Sequence, residues 1–321
     1  MPSPLDDLGL TDLIKLQDEL QRVIRARFER ELCLVFTDVV GSTAYLERFG
    51  DAAGRALLQR HLDLLGRVVG VADGRIVDTA GDGAFCVFSR LLPAVAALSD
   101  LQVMVARDNA GRSAEHHLGL RVGLHFGPVL TDGTLVSGDS VHLAARVSST
   151  ADAGQIHLTQ SALAQLPAAM RVRCRLLEPV RLKGFSEPVQ LASLEWRDPR
   201  RFPTRLRIEE AGIEVDLPSQ DLVRIGRLPE HEGQPANEVV LTHPDPEILR
   251  RISRWQCELH RHADGLFLRS VSRAVTELDG RPVPMGQSVQ VFPGQAIRLS
   301  SVLTLRLLSP GAAGGDETVI G

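Results

Sequence analysis

"RIVDTAGDGAFCVF", residues 75–88, places short apolar runs on either side of a glycine-containing turn. It reads as a hairpin, "RIVDT" pairing with "AFCVF" across Ala80–Gly83. Asp78 and Asp82 lie four positions apart in it. A carboxylate in such a turn serves equally as a solvated turn residue or as half of a metal site. The flanking segments decide between these readings.

Upstream, "LCLVFT" (32–37) is a continuous apolar run that reads as a buried strand ending at Asp38, and the stretch from Tyr45 to Val71 is mostly helical. Between them, "VVGST" supplies Gly41, Ser42 and Thr43. A carboxylate at a strand end, beside a small-residue loop and a helix N-terminus, combines a hard-cation ligand with backbone N–H groups suited to phosphate oxygens; helix capping is the local alternative. Downstream, "LLPAVAALSDLQVMVARD" predicts a helix, "LGLRVGLHFGPV" a strand, Ser140–Thr150 a helix and "QIHL" a strand. This mixture predicts an α/β domain with helices packed on a sheet.

Residues 10–30 place Leu13, Leu16, Leu20 and Val23 at three- and four-residue steps, an amphipathic helix with Thr11 or Asp12 as its cap. Such a helix either pairs two chains as a short coiled coil or lies on its own domain. Arginines and prolines in "RDPRRFPTR" mark a linker, and Leu206–Leu308 shows short alternating segments separated by Gly, Pro and Asp, which predicts an all-β sandwich. The resulting division is an N-terminal helix over 1–30, an α/β domain over 31–197, a linker over 198–204, a β domain over 205–309 and a disordered Gly/Ala-rich tail over 310–321.

Composition narrows the function classes. With 321 residues, 44% of them hydrophobic, the chain can bury two cores. A net charge of −4 offers no bulk attraction to nucleic acid or anionic membranes, so a nucleotide has to be held by a local site. Cys33, Cys86, Cys174 and Cys257 are widely spaced and read as buried thiols of a reducing compartment. No apolar run approaches a membrane span, and the expectation is a cytoplasmic protein.

Five ordered segments carry a resemblance: "FTDVVGST", "GDGAFCVF" with its Asp82 44 positions after Asp38, "RVGLHFGPV", "GDSVHLAARV" and "LKGFSEPV". Together they resemble the catalytic domain of class III adenylyl and guanylyl cyclases, over essentially all of residues 32–195. The resemblance implies a ferredoxin-like α/β fold and a head-to-tail homodimer with active sites at the interface. It implies that Asp38 and Asp82 of one chain hold two Mg²⁺ or Mn²⁺ ions. Arg146 of the other chain then reaches the α-phosphate, Lys183 the terminal phosphates, and Gly41, Ser42 and Thr43 line the phosphate-binding turn. The implied reaction converts a nucleoside triphosphate to a 3′,5′-cyclic monophosphate and pyrophosphate.

Three positions depart from that pattern. Adenine-specific members carry a Lys where this chain has Asp78 and an Asp where it has Leu135, so the adenine code is missing. An acceptor at position 78 suits the N1–H and 2-amino donors of guanine, which favours GTP over ATP, and the N3–H of uracil in UTP is a further possibility. His142 replaces the ribose-orienting Asn; it can still hydrogen-bond a ribose oxygen. The alternative implied by these departures is a weak or inactive cyclase-like scaffold.

"VRIGR", "NEVVL", "RISRWQCELHR", "LFLRSVSRAVTELDGRPV" and "PGQAIRL" follow in an order similar to the forkhead-associated domain, whose loops bind phosphothreonine peptides. Carried over, Arg227, Ser253, Arg254 and Thr276 are the phosphopeptide-binding residues, a guanidinium and hydroxyl set suited to a dianion. Gln256 and Ala274 replace that family's His and loop Asn. The readings left open are a phosphothreonine reader and a sandwich used for docking or dimerisation, and Thr318 in the tail is a candidate phosphosite.

Overall fold

The computed structural model describes residues 9–218 and 220–309. The tail and Thr318 lie outside these residues. The chain divides into two compact units, one holding the chain as far as Leu101 together with Leu118–Leu194, the other Gln102–His117 and the chain from Glu195 on.

Helix α1 (Leu10–Phe28) leads directly into strand β1 (Glu29–Val39). There follow α2 (Ser42–Val71), the hairpin β2 (Gly74–Ala80) and β3 (Gly83–Phe88), α3 (Leu91–Ala110), β4 (Leu120–Thr131), β5 (Val136–Ser137), α4 (Asp139–Ser148), β6 (Ile156–Thr159), α5 (Gln160–Gln165), α6 (Ala168–Arg171), β7 (Cys174–Leu176) and β8 (Leu191–Leu194). The sheet runs β2-β3-β1-β4-β6-β8-β7, with β5 on the edge of β4. All its pairings are antiparallel except β4 with β6, so the sheet is mixed. The order β2-β3-β1-β4, with α2 and α3 as crossovers, is the ferredoxin-like arrangement that the resemblance implied.

β1 occupies the centre because "LCLV" is apolar on both faces: Cys33, Leu34 and Val35 are all completely buried. Helix α4 lies so close to β4 that a Cβ on Gly123 would fall 2.1 Å from the Ser148 backbone nitrogen. Only glycine permits that approach. α2 begins at Ser42, three residues before the predicted start, because Gly41 takes a left-handed φ of 76° and turns the chain at once from strand to helix. The expected cap of α1 is not Thr11 or Asp12. Gly9 occupies that position with no side-chain bond, and no residue of α1 is buried, leaving Leu13, Leu16, Leu20 and Val23 exposed. No described helix is long and apolar enough to cross a membrane.

In the second unit, β9 (Arg205–Ile208), β10 (Ile213–Asp216), β17 (Thr276–Leu278), β18 (Arg281–Pro282), β20 (Ala296–Leu299) and β21 (Leu303–Leu308) form one sheet. β11 (Leu222–Gly226), β14 (Val239–Val240), β15 (Cys257–His262), β16 (Gly265–Ser270) and β19 (Ser288–Val291) form another. β12 (Glu230–His231) and β13 (Gln234–Pro235) make a small ribbon, and α7 (Pro246–Arg251) is a short helix capped by Asp245. Leu206, Ile297 and Leu305 of the first sheet join Val223, Leu259 and Leu268 of the second in a single apolar core, as the period-two pattern of these strands requires.

Candidate functional site

Antiparallel pairing brings three charged side chains to one end of the β3-β1-β4 triplet. Asp38 lies opposite Gly83 of β3, one residue from Asp82, and opposite Arg121 of β4. The Arg121 guanidinium donates to Asp38 Oδ2 through Nε at 2.8 Å and through Nη2. The Ser42 hydroxyl, buried at the start of α2, donates to Asp82 Oδ2.

These contacts set the charge states. Burial pushes the Asp38 carboxyl above its usual range and the adjacent Asp82 adds to the rise, with Arg121 opposing both. For Asp82, burial acts against the charged form, but the hydrogen bonds from Ser42 and Asp38 outweigh it and hold its carboxyl low. Two half-buried carboxyls in hydrogen-bonding reach repel as anions. The arrangement therefore fits a divalent oxygen-liganded cation, which would let both ionise. Among the described residues, no cluster of three or more His, Cys, Asp and Glu offers an alternative metal centre.

Residues 24–193 match the family described as "Adenylate and Guanylate cyclase catalytic domain". The chain belongs to that family. The match runs from the last turn of α1 to β8, so this segment is a nucleotidyl cyclase domain. Curated relatives are a putative adenylate cyclase 3 of Rhizobium meliloti (strain 1021), 28% identical over 40% of this chain and 22% of that protein, and an adenylate cyclase of Lachancea kluyveri, 27% identical over 53% of this chain and 11% of that protein. The chain thus spans about a tenth to a fifth of the length of these relatives. Similar solved structures include a Trypanosoma brucei adenylate cyclase (22% identity, TM-score 0.46, covering 54% of this chain and 92% of that one). The guanylate cyclase domain of RhGC from Catenaria anguillulae in complex with GTP is another (22% identity, TM-score 0.45, 53% and 99%).

The remaining cyclase-motif residues stand apart from the carboxylate pair. His142 and Arg146 are exposed, one turn apart on α4, and Lys183 is exposed in the loop before β8. Among the described residues, none of the three makes a side-chain hydrogen bond or ion pair within the chain. Gly41 supplies the left-handed turn, and Thr43 is exposed at the first turn of α2. Asp78 follows a register irregularity between Ile76 and Asp78, a bulge of the kind that re-aims a side chain. It is exposed, and its Oδ1 accepts a local hydrogen bond from the Thr79 backbone at 2.8 Å. Leu135 is 70% exposed on the loop that Asp132 organises through the amides of Thr134 and Leu135.

Arg121 was not singled out from the sequence, although a lone charge in the apolar strand "LGLRVGLHFGPV" was the available signal. His61 and its partner Thr37 were likewise missed, because a histidine in a helical stripe reads as ordinary core.

In the second unit, Arg227, Arg250, Arg251, Ser253, Arg254 and Ser272 line a shallow cleft of about 420 Å³. Arg227 Nε donates to the Ile252 carbonyl at 2.8 Å, and the Ser253 and Ser272 hydroxyls lie 2.5 Å apart. The Arg254 guanidinium lies 5.9 Å from the Trp255 ring centre. Thr276 corrects the expectation: it is 2% exposed at the start of β17, and its hydroxyl accepts from Gln256 Nε2 at 3.1 Å. It therefore stands behind the cleft. Gln256, completely buried, also accepts from the Ser253 amide at 2.9 Å and so ties the cleft loop to β17.

Proposed function

We propose that this chain is a homodimeric nucleotidyl cyclase that closes a nucleoside triphosphate into its 3′,5′-cyclic monophosphate. The observation that carries the reading is the meeting of Asp38, Asp82 and Arg121 at one strand end, within a chain of the cyclase family. In the reaction, the ribose 3′-oxygen bonds to the α-phosphorus, the bond from that phosphorus to the bridging oxygen breaks, pyrophosphate leaves and the hydroxyl proton passes to solvent. No protein nucleophile is required, so the protein's task is positioning and charge neutralisation.

Asp38 and Asp82 would hold Mg²⁺ or Mn²⁺, which when bound acidifies the 3′-hydroxyl and neutralises the phosphates. Ser42 fixes one oxygen of Asp82, and Arg121, which now bonds Asp38, would supply a guanidinium to the triphosphate beside the cation. Arg146 and Lys183 would come from a second copy, at the α-phosphate and the terminal phosphates respectively. Their exposure, with no partner among the described residues, supports that assignment. His142, one turn from Arg146, would bond the ribose. Asp78 as acceptor favours GTP over ATP, with Leu135 contributing no polar contact to the base. Gly41, Ser42 and Thr43 form the turn that cradles phosphate.

The arginine-lined cleft supports reading the second unit as a forkhead-associated domain that regulates the cyclase by binding a phosphothreonine protein. Arg227, Ser253 and Arg254 face the ligand there and Thr276 serves the fold. The test is to incubate purified chain with ATP, GTP, UTP and CTP separately, with Mg²⁺ or Mn²⁺, and to identify cyclic products by mass spectrometry. Cyclic GMP absent from Asp38→Ala supports the cyclase reading, the metal role of Asp38 and the preference for GTP. Cyclic AMP alone removes the role of Asp78, and no cyclic product in any condition returns the chain to a scaffold.

A further inference from the structure

Helix α2 buries Leu57, Leu65 and Val68 along one stripe, and the position between them on that stripe is His61, 1% exposed. A leucine would suit the pattern. An imidazole in that position loses its hydration, which is tolerable only when its nitrogens find partners. Those partners are informative. Nε2 lies 2.9 Å from the Thr37 hydroxyl, itself buried, and the ring lies beside the Asp82 backbone. Thr37 immediately precedes Asp38. The ring therefore stands between the strand end that carries Asp38, to which it is bonded through Thr37, and the turn that carries Asp82.

We propose that His61 is a positioning residue that sets the separation of the two metal-binding carboxylates by bonding the strand end that carries Asp38 while packing against the turn that carries Asp82. The proposal rests on the reading of Asp38 and Asp82 as the metal pair. Strand pairing alone leaves the pair loosely set, since Asp82 sits in the turn and has no ladder partner, whereas Asp38 is in register with Gly83. From α2, Ser42 bonds the Asp82 side chain, and His61 bonds Thr37 at the strand end beside it. A group that orients metal ligands in this way typically changes metal affinity by 10–100-fold when lost.

The experiment compares full-length wild type with H61L, H61Q, T37V and the H61L/T37V double variant. Mn²⁺ affinity is read from the electron paramagnetic resonance signal of the free ion, kcat and KM from cyclic-product formation, and folding from thermal melts. H61L is expected to weaken Mn²⁺ binding about 10-fold or more and to lower kcat similarly, with the nucleotide KM changed less. H61Q, whose amide can donate and accept, is expected to recover part of both losses. T37V is expected to show a smaller loss in the same direction, and the double variant to bind Mn²⁺ no more weakly than H61L.

The proposal is overturned if folded H61L retains Mn²⁺ affinity and kcat within about 2-fold of wild type, or if H61Q fares no better than H61L. Should H61L fail to fold, T37V decides: an unchanged Mn²⁺ affinity overturns the proposal. Asp38→Ala, run alongside, separates the two claims. If it binds Mn²⁺ and cyclises like wild type, the metal-pair reading falls and this one with it. If it loses both while H61L loses neither, only the positioning role falls.

Discussion

Lowering the pH from about 7 to about 5 is expected to destabilise the cyclase unit well before its carboxylates titrate. His125 and His157 are both buried, and each ring bonds a threonine hydroxyl: His125 Nδ1 to Thr159 Oγ1 at 2.9 Å, His157 Nδ1 to Thr150 Oγ1 at 2.8 Å. Burial pushes both pKa values down to about 4. An unfolded histidine titrates near 6.5, so below that pH the unfolded chain takes up protons that the folded chain refuses. Stability is therefore full above about pH 6.5 and falls progressively towards pH 4. The loss works out at about 1–2 kcal/mol per histidine by pH 5, a large share of the total for a marginally stable domain. Urea unfolding followed by circular dichroism near pH 7, 6 and 5 measures it, and H125Q is expected to lessen the slope. A urea midpoint for the cyclase unit that stays constant between pH 7 and 5 would refute the reasoning.

Three further outcomes follow from the geometry. Gly123→Val drives side-chain atoms into the Ser148 backbone and is expected to cost about 2–4 kcal/mol, read from the same urea curves. Arg121→Gln removes a cation from beside Asp38 and is expected to lower kcat/KM by about 10–100-fold while the thermal midpoint moves little. Asp38→Ala and Arg146→Ala, each inactive alone, are expected to regain about a quarter of wild-type activity when mixed in equal amounts, because half of the random dimers then carry one intact shared site.

How far the chain was legible from its sequence depended on whether the relevant information was local. Asp38 and Asp82 stood out because glycine-rich turns are written in a few adjacent letters. The hairpin, the central strand and the helices followed from apolar periodicity in the same way. Arg121 was hidden because its meaning lies in the register of β4 against β1, an alignment of residues 83 positions apart that no local pattern encodes. His61 was hidden for the opposite reason: it occurs where periodicity calls for core, and only its bond to Thr37 distinguishes it from packing. Thr276 was misjudged because a motif places residues in order along the chain without saying which face of a strand they take. One step along β17 decides between a cleft and a core.

The junction of α1 with β1 has a mechanical consequence. Phe28 is the last helical residue and Glu29 is already extended, at φ −74° and ψ 128°, with no turn or glycine between them. Nine residues beyond Glu29 on the same strand lies Asp38. A joint would absorb rotation of the helix; a direct splice passes it on. Whatever grips the exposed leucine stripe thus holds a crank whose other end carries Asp38, and on the proposed reading a twist applied there would reach the metal-binding carboxylates through the backbone itself.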